Sequence, residues 1–132
     1  MNEQYRGLWR GKRLDNSEWA VGKNIMYETF RGDVCISNFG ESWHTVDPDT
    51  LGECTGMCDK NDTPIFEGDI VEVKGVMEKR IAPIVFIKGK FVFDWKYSTI
   101  RPSIGMYESQ QIKVIGNIHD NPELLAEGAA ES

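Results

Sequence analysis

Ile84-Val85-Phe86-Ile87-Lys88-Gly89-Lys90-Phe91-Val92-Phe93-Asp94-Trp95 reads as a β-hairpin. Two apolar, β-branched and aromatic runs flank a Lys-Gly-Lys turn, where glycine supplies the positive φ that a tight reversal needs. Two registers are open, with Lys88-Gly89 or Gly89-Lys90 as the turn pair. Side chains alternate along a strand, so either register puts Ile84 and Phe86 on one face with Phe91, Phe93 and Trp95. Burying that face is the largest apolar gain the segment offers, and it predicts an inward-facing Trp95.

Outward from the hairpin, the chain is short strands punctuated by turns. Residues 8–13 and 18–27 read as two strands around Leu14-Asp15-Asn16-Ser17, and residues 31–40 suggest a second hairpin. Asp47-Pro48-Asp49-Thr50 is a turn, because Pro48 fixes its own φ and pushes Asp47 towards extended geometry. A polar loop over 58–64 leads into a strand over 70–74, with Val71 and Val73 on one face. Residues 112–118 form another strand, with Ile112, Val114, Gly116 and Ile118 on one side. Asn121-Pro122-Glu123 then starts a helix: Asn121 can cap, Pro122 suits the first position and Glu123 favours the positive dipole end. The pattern predicts a mainly β fold, a small pseudo-barrel of short antiparallel strands capped by a short C-terminal helix. One domain is expected over 1–127, with N-terminal hairpins over 1–50, a barrel core over 51–121 and a capping helix over 122–127. Residues 128–132 are expected to be a frayed tail.

With 132 residues, 40% hydrophobic and 27% charged, the chain has the size and balance of a single globular domain. No apolar run approaches the ~20 residues that span a bilayer. Residues 1–13 are basic but carry no apolar core of a signal peptide, so the expected location is the cytoplasm and no membrane is involved. The net charge of −6 is unevenly spread: +3 over residues 1–13, −10 over 14–73, +5 over 74–113 and −4 over 114–132. An acidic chain is a poor general polyanion binder, unless folding gathers its basic stretches into one patch.

No catalytic or cofactor motif is present. Cys54-x3-Cys58, with Cys35 or His44 as a third ligand, approximates a zinc site, but no second Cys or His pair completes it. Packed, reduced thiols are expected instead. Asp59-x-Asn61 starts like a calcium loop and then fails, with Pro64 where glycine belongs and Ile70 where glutamate belongs. Gly11-Lys12-Arg13 and Gly89-Lys90-Phe91 lack the spacing and the Ser or Thr of a phosphate loop. His44 and His119 are the only imidazoles, and no Ser or Cys sits in a nucleophile elbow. Paired carboxylates at Asp47/Asp49 and Glu67/Asp69 are commonest as turn and cap residues. The sharper candidate is a nucleic-acid surface of Lys74, Lys79, Arg80, Lys88, Lys90 and Lys96 around Phe86, Phe91, Phe93, Trp95 and Tyr97. Against it, aromatics fill cores and lysines keep strand edges soluble.

Three stretches in order carry a family resemblance. They are Arg10-Gly11-Lys12-Arg13-Leu14-Asp15-Asn16-Ser17-Glu18-Trp19, residues 47–73, and Val114-Ile115-Gly116-Asn117-Ile118 with Asn121-Pro122-Glu123-Leu124-Leu125. Together they resemble the YopX family over nearly the whole chain, the middle over 76–111 matching only in character. The resemblance implies a β-rich pseudo-barrel capped by a helix, encoded by phages or prophages of a bacterial host, and it implies no activity. The chain departs from the family pattern at Ser17 and Asp62, where members usually carry glycine. Both fall in turns, and Asp62 is expected to take positive φ at modest cost. The function expected is therefore a non-enzymatic accessory module that binds a protein partner or itself, without metal or cofactor. A single-stranded nucleic-acid-binding barrel is the alternative, and an enzyme comes third.

Overall fold

The computed structural model describes residues 5–28, 30–38, 40–75, 79–95 and 101–125. Eleven strands occur among them: β1 (Trp9–Lys12), β2 (Trp19–Gly22), β3 (Asn24–Glu28), β4 (Asp33–Ser37), β5 (His44–Val46), β6 (Gly52–Cys58), β7 (Pro64–Phe66), β8 (Asp69–Lys74), β9 (Lys79–Ile87), β10 (Lys90–Phe93) and β11 (Ile112–Asn117). They form three antiparallel sheets, ordered β2-β1-β6-β7, β10-β9-β8-β11 and β3-β4-β5. A short helix starts at 123 and is described through 125. The fold is mainly β, as expected, but no closed barrel forms among the described residues. The chain bends at Gly22-Lys23 and sends β2 and β3, read as one strand over 18–27, into different sheets.

The central hairpin uses Lys88-Gly89 as its turn, since Ile87 pairs with Lys90 and Phe86 with Phe91. Both turn residues have positive φ, +51° and +83°, the pair of left-handed residues that a type I′ turn needs. Ile84, Phe93 and Trp95 of the expected aromatic face are buried together with Ile65, Val71, Val73, Ala82, Ile104 and Ile112. Trp95 stacks on Phe93 at 5.2 Å, with Arg80 over its ring at 5.5 Å. Phe86 is the correction: it is 48% exposed, because the hairpin tip runs past the end of the core.

A second core joins the other two sheets through Ala20, Val34, Ile36 and Val46, with Trp9, Ile25 and Leu51 packed on it. The sheets meet so closely at Gly22 that a Cβ there would lie 2.2 Å from the carbonyl oxygen of Ser37. Among the described residues of 31–40 there is one strand, β4, and not a hairpin; all but the first of its residues are buried between β3 and β5. The Asp47-Pro48 turn is a short 3-10 turn in which Asp47 accepts from the Asp49 N–H. Asn121 does not cap the helix with its side chain; its Oδ1 accepts from the Asn117 N–H at 3.2 Å. The residues expected at 126–127 and 128–132 lie outside the described residues.

Candidate functional site

The first two stretches that carry the resemblance, and the turn between the two parts of the third, meet around Arg10. Strand β1 presents it, β8 supplies Asp69, β2 supplies Trp19, and the turn after β11 supplies His119 and Asp120. Arg10 Nη2 lies 2.7 Å from Asp69 Oδ1, in a pair whose side chains are 11% and 2% exposed. The guanidinium carbon sits 4.6 Å from the Trp19 ring centroid and 4.8 Å from that of Phe66. The ion pair is made off the line of the N–H bonds, so Nε and Nη2 have no hydrogen-bond acceptor among the described residues. Two electron-rich ring faces take the place of acceptors, which suits a weakly hydrated planar cation.

Asp69 accepts from the Phe66 N–H at 2.8 Å. Burial raises its pKa, against the pull of the Arg10 charge and that hydrogen bond. Around this pair, Trp19 donates Nε1–H to Asp120 Oδ2 at 2.9 Å, and Lys12 pairs with Asp120 Oδ1. The Lys12 hydrogen bond, then that of Trp19, lowers Asp120 from 3.8 to about 2. His119 leans on Trp19 at 5.9 Å, and burial lowers its pKa, helped by the charge of Arg10. Each cation has its own carboxylate, so the cluster offers no spare charge to a ligand. It binds sheet to sheet.

The cysteines are scattered. Cys35 on β4 contacts Thr45 Oγ1 at 3.6 Å, Cys54 is buried on β6, and Cys58 approaches Asp62 Oδ1 at 3.8 Å. Burial raises the Cys54 pKa, which makes its thiol a poor nucleophile. Among the described residues no three His, Cys, Asp or Glu side chains gather to hold a metal ion. Asp59 is a structural carboxylate, its oxygens accepting from the N–H groups of Asn61, Thr63 and Val114.

Folding divides the basic residues of the middle segment. Lys74 pairs across the sheet with Lys79, and Arg80 with Val73, at one end of β9. Lys88 and Lys90 sit at the other end, nine residues on from Lys79, or about 30 Å of extended chain. Lys79 is also tied to Glu72 at 3.7 Å. Lys96 and Tyr97 lie outside the described residues. What the tip does gather is Lys88, Lys90 and an edge-to-face pair, Phe86 and Phe91, with centroids 4.9 Å apart.

The sheet edges differ in a way the sequence did not signal. The outer edge of β10 is strapped by Ser103 and by the Phe93 N–H donating to Pro102. That of β11 is strapped by the Lys60 N–H, which donates to Ile112, and by Asp59, which accepts from Val114. Arg13 and Leu14 close β5. Strand β3 has no such strap among the described residues, and at five residues it is longer than the other unstrapped edges, β2 with four and β7 with three. It presents Met26, 42% exposed, and Tyr27, and the turn beyond it exposes Phe30. The alternation of its pairing puts Met26 on the outer face with Cys35 and Thr45, and Ile25 and Tyr27 on the core face with Val34, Ile36 and Val46.

These features define a class: a small mainly β protein of three open sheets, with a buried arginine–aspartate pair between two of them and, at β3, the longest edge left unstrapped among the described residues. The chain belongs to the YopX family, whose profile, described as YopX protein, matches residues 7–126. Its fold is similar to the crystal structure of protein yopX from Bacillus subtilis, with a TM-score of 0.59 at 19% identity, covering 89% of this chain and 96% of that one. It is also similar to protein EF1440 from Enterococcus faecalis, with a TM-score of 0.54 at 24% identity and the same coverage. Both likenesses are of fold. No curated protein matches the chain by sequence. Family membership brings no specific activity, and no helix among the described residues is long and apolar enough to cross a membrane.

Proposed function

We propose that this chain is a non-enzymatic accessory module of a phage or prophage, working in the bacterial cytoplasm by pairing an open sheet edge with a protein partner or with itself. The observation that carries the reading is β3. Its outward backbone groups, which pair with no strand among the described residues, and its apolar side chains Met26 and Tyr27 are what strand addition uses, the backbone for affinity and alternate side chains for specificity. The Arg10 cluster supports the reading, because each of its cations already has a carboxylate and the motif residues are left a scaffold role.

Proline removes one backbone donor, so the paired variants Met26→Pro and Tyr27→Pro test the edge directly. Adjacent strand residues point their N–H groups to opposite sides, so one variant breaks the β3–β4 ladder and the other leaves it intact. Native mass spectrometry of the protein from the cells that encode it should show an assembly heavier than the 15.0 kDa chain. The variant that still folds should be recovered as a single chain. A wild type that is always a single chain defeats the proposal.

A second reading is favoured by the hairpin tip, where Phe86 and Phe91 stand beside Lys88 and Lys90. Aromatics next to lysines are the elements of a single-strand stacking platform, although only Phe86 is exposed and Phe91 packs partly on the core. The platform is small, and Phe93 and Trp95 are withdrawn into the core.

A further inference from the structure

We infer that the occupant of the β3 edge is a second copy of this chain, paired antiparallel about a two-fold axis through Met26; this rests on the edge-binding reading above. Two antiparallel strands related by a two-fold share one pair of faces, so only residues of the same parity can stand opposite each other. Three registers meet that condition near the centre of β3. One centred on Ile25 puts Lys23 opposite Tyr27, and one centred on Tyr27 puts Glu28 opposite Met26. The register centred on Met26 pairs all five residues of Asn24–Glu28. It sets Met26 against its own copy, Ile25 against Tyr27 and Asn24 against Glu28, so apolar meets apolar, polar meets polar and no like charges face.

The same register explains why Tyr27 is 62% exposed although it lies on the core face of its sheet. Across the axis it would meet Ile25, which already packs on the second core, so the apolar layer of Val34, Ile36 and Val46 continues from one copy into the next. The strand itself holds neither the lysine nor the proline that commonly blunts an open edge. The other edges of comparable exposure are short or strapped by hydrogen bonds. A continuous six-stranded sheet results, with three strands from each copy.

Opposite charges at the axis test the register. Met26 is on the outer face and partly exposed, so Met26→Lys and Met26→Glu should fold like the parent, which circular dichroism checks. In the wild type, light scattering after gel filtration should give twice the 15.0 kDa chain mass. Each variant alone sets like charges face to face and should weaken dimerisation roughly tenfold or more. An equimolar mixture of the two should restore a heterodimer, because lysine then faces glutamate. A wild type that stays a single chain at hundreds of micromolar overturns the inference. So does a Met26→Lys protein that dimerises as tightly as the parent, or a mixture that fails to recover. If the edge instead carries a different protein in cells and the Pro variant releases it, the edge reading stands and the second copy falls.

Discussion

Replacing Arg10 by methionine should cost about 3–5 kcal/mol, the range seen when one partner of a buried ion pair is removed. The cost resides in Asp69. Its carboxylate is only 2% exposed and, without Arg10, keeps the Phe66 N–H as its single hydrogen-bond donor among the described residues. Lost cation contact with the Trp19 and Phe66 rings adds to this, about 2 kcal/mol for a desolvated pair. Methionine fills part of the volume and touches the same rings through its sulfur, so little of the loss is cavity. Against a domain stability of ~5–15 kcal/mol the change is large, and urea unfolding followed by tryptophan fluorescence measures it. The effect also carries a pH signature. Burial raises the folded pKa of Asp69, so this group favours the fold most below its unfolded value and less as pH rises through the folded one. Removing Arg10 raises that pKa further, so the penalty should be largest near neutrality and shrink on acidification, as a protonated Asp69 needs no cation. Arg10→Met with Asp69→Asn should cost less than the two single changes together. A loss under about 1 kcal/mol, or one that is strictly additive and independent of pH, would refute the keystone reasoning.

Four further outcomes are expected. Lys12→Met should return Asp120 from about 2 towards 3.8 in a carboxyl NMR titration; in the parent that shift stabilises the fold above pH 3.8 and fades as pH falls through about 2. The pair is partly exposed and screened by solvent, so its contribution stays under about 1 kcal/mol. Ser17→Gly should raise stability by about 0.5–1 kcal/mol in urea unfolding, since Ser17 holds a φ of +61° that glycine adopts without strain. Trp95→Ala should cost ~3–5 kcal/mol in the same assay, and a change under ~1 kcal/mol would put that ring outside the core. The wild type should not bind a single-stranded oligonucleotide even at low salt. Binding with a log–log salt slope near −1.4, as about two phosphate contacts give, and lost in Phe86→Ala, would put the hairpin tip first.

Legibility in the sequence followed the range of the interactions. The β9–β10 hairpin was readable because alternation and turn chemistry are local, and both registers shared one aromatic face. Where that face leaves the core was not readable: Phe86 and Ile84 have the same parity, and only tertiary packing separates them, Ile84 joining Val71 and Ile112 in the core while Phe86 does not. Residues 18–27 looked continuous because nothing local marks the bend at Gly22-Lys23; its cause is the Ser37 backbone, fifteen residues further on. The alternation of residues 112–118 breaks at a register shift between Val114 and Gly116, so Gly116 pairs with Ile70. A missing Cβ there seats Asn121 and Leu124, whose nearest atoms would lie within 2.9 Å of one.

The site was half legible. Its residues were in view as motif fragments, yet read singly they suggested turns and strand edges, because Arg10, Trp19, Asp69 and Asp120 meet only through tertiary folding. The departures from the family pattern are the informative exception. Ser17 and Asp62 stand where the resemblance leads one to expect glycine, and both hold positive φ, +61° and +63°, so each turn forms without the residue that favours it. At each of them local propensity yields to tertiary demand, and the reason is visible in what the turn aligns. Ser17 sits where the chain reverses between β1 and β2, and that reversal sets Lys12 opposite Trp19. Those two residues then hold the two oxygens of Asp120, one each. A strained serine is tolerated there because the turn it makes places two partners for Asp120 in the turn after β11, which strand propensity alone does not encode.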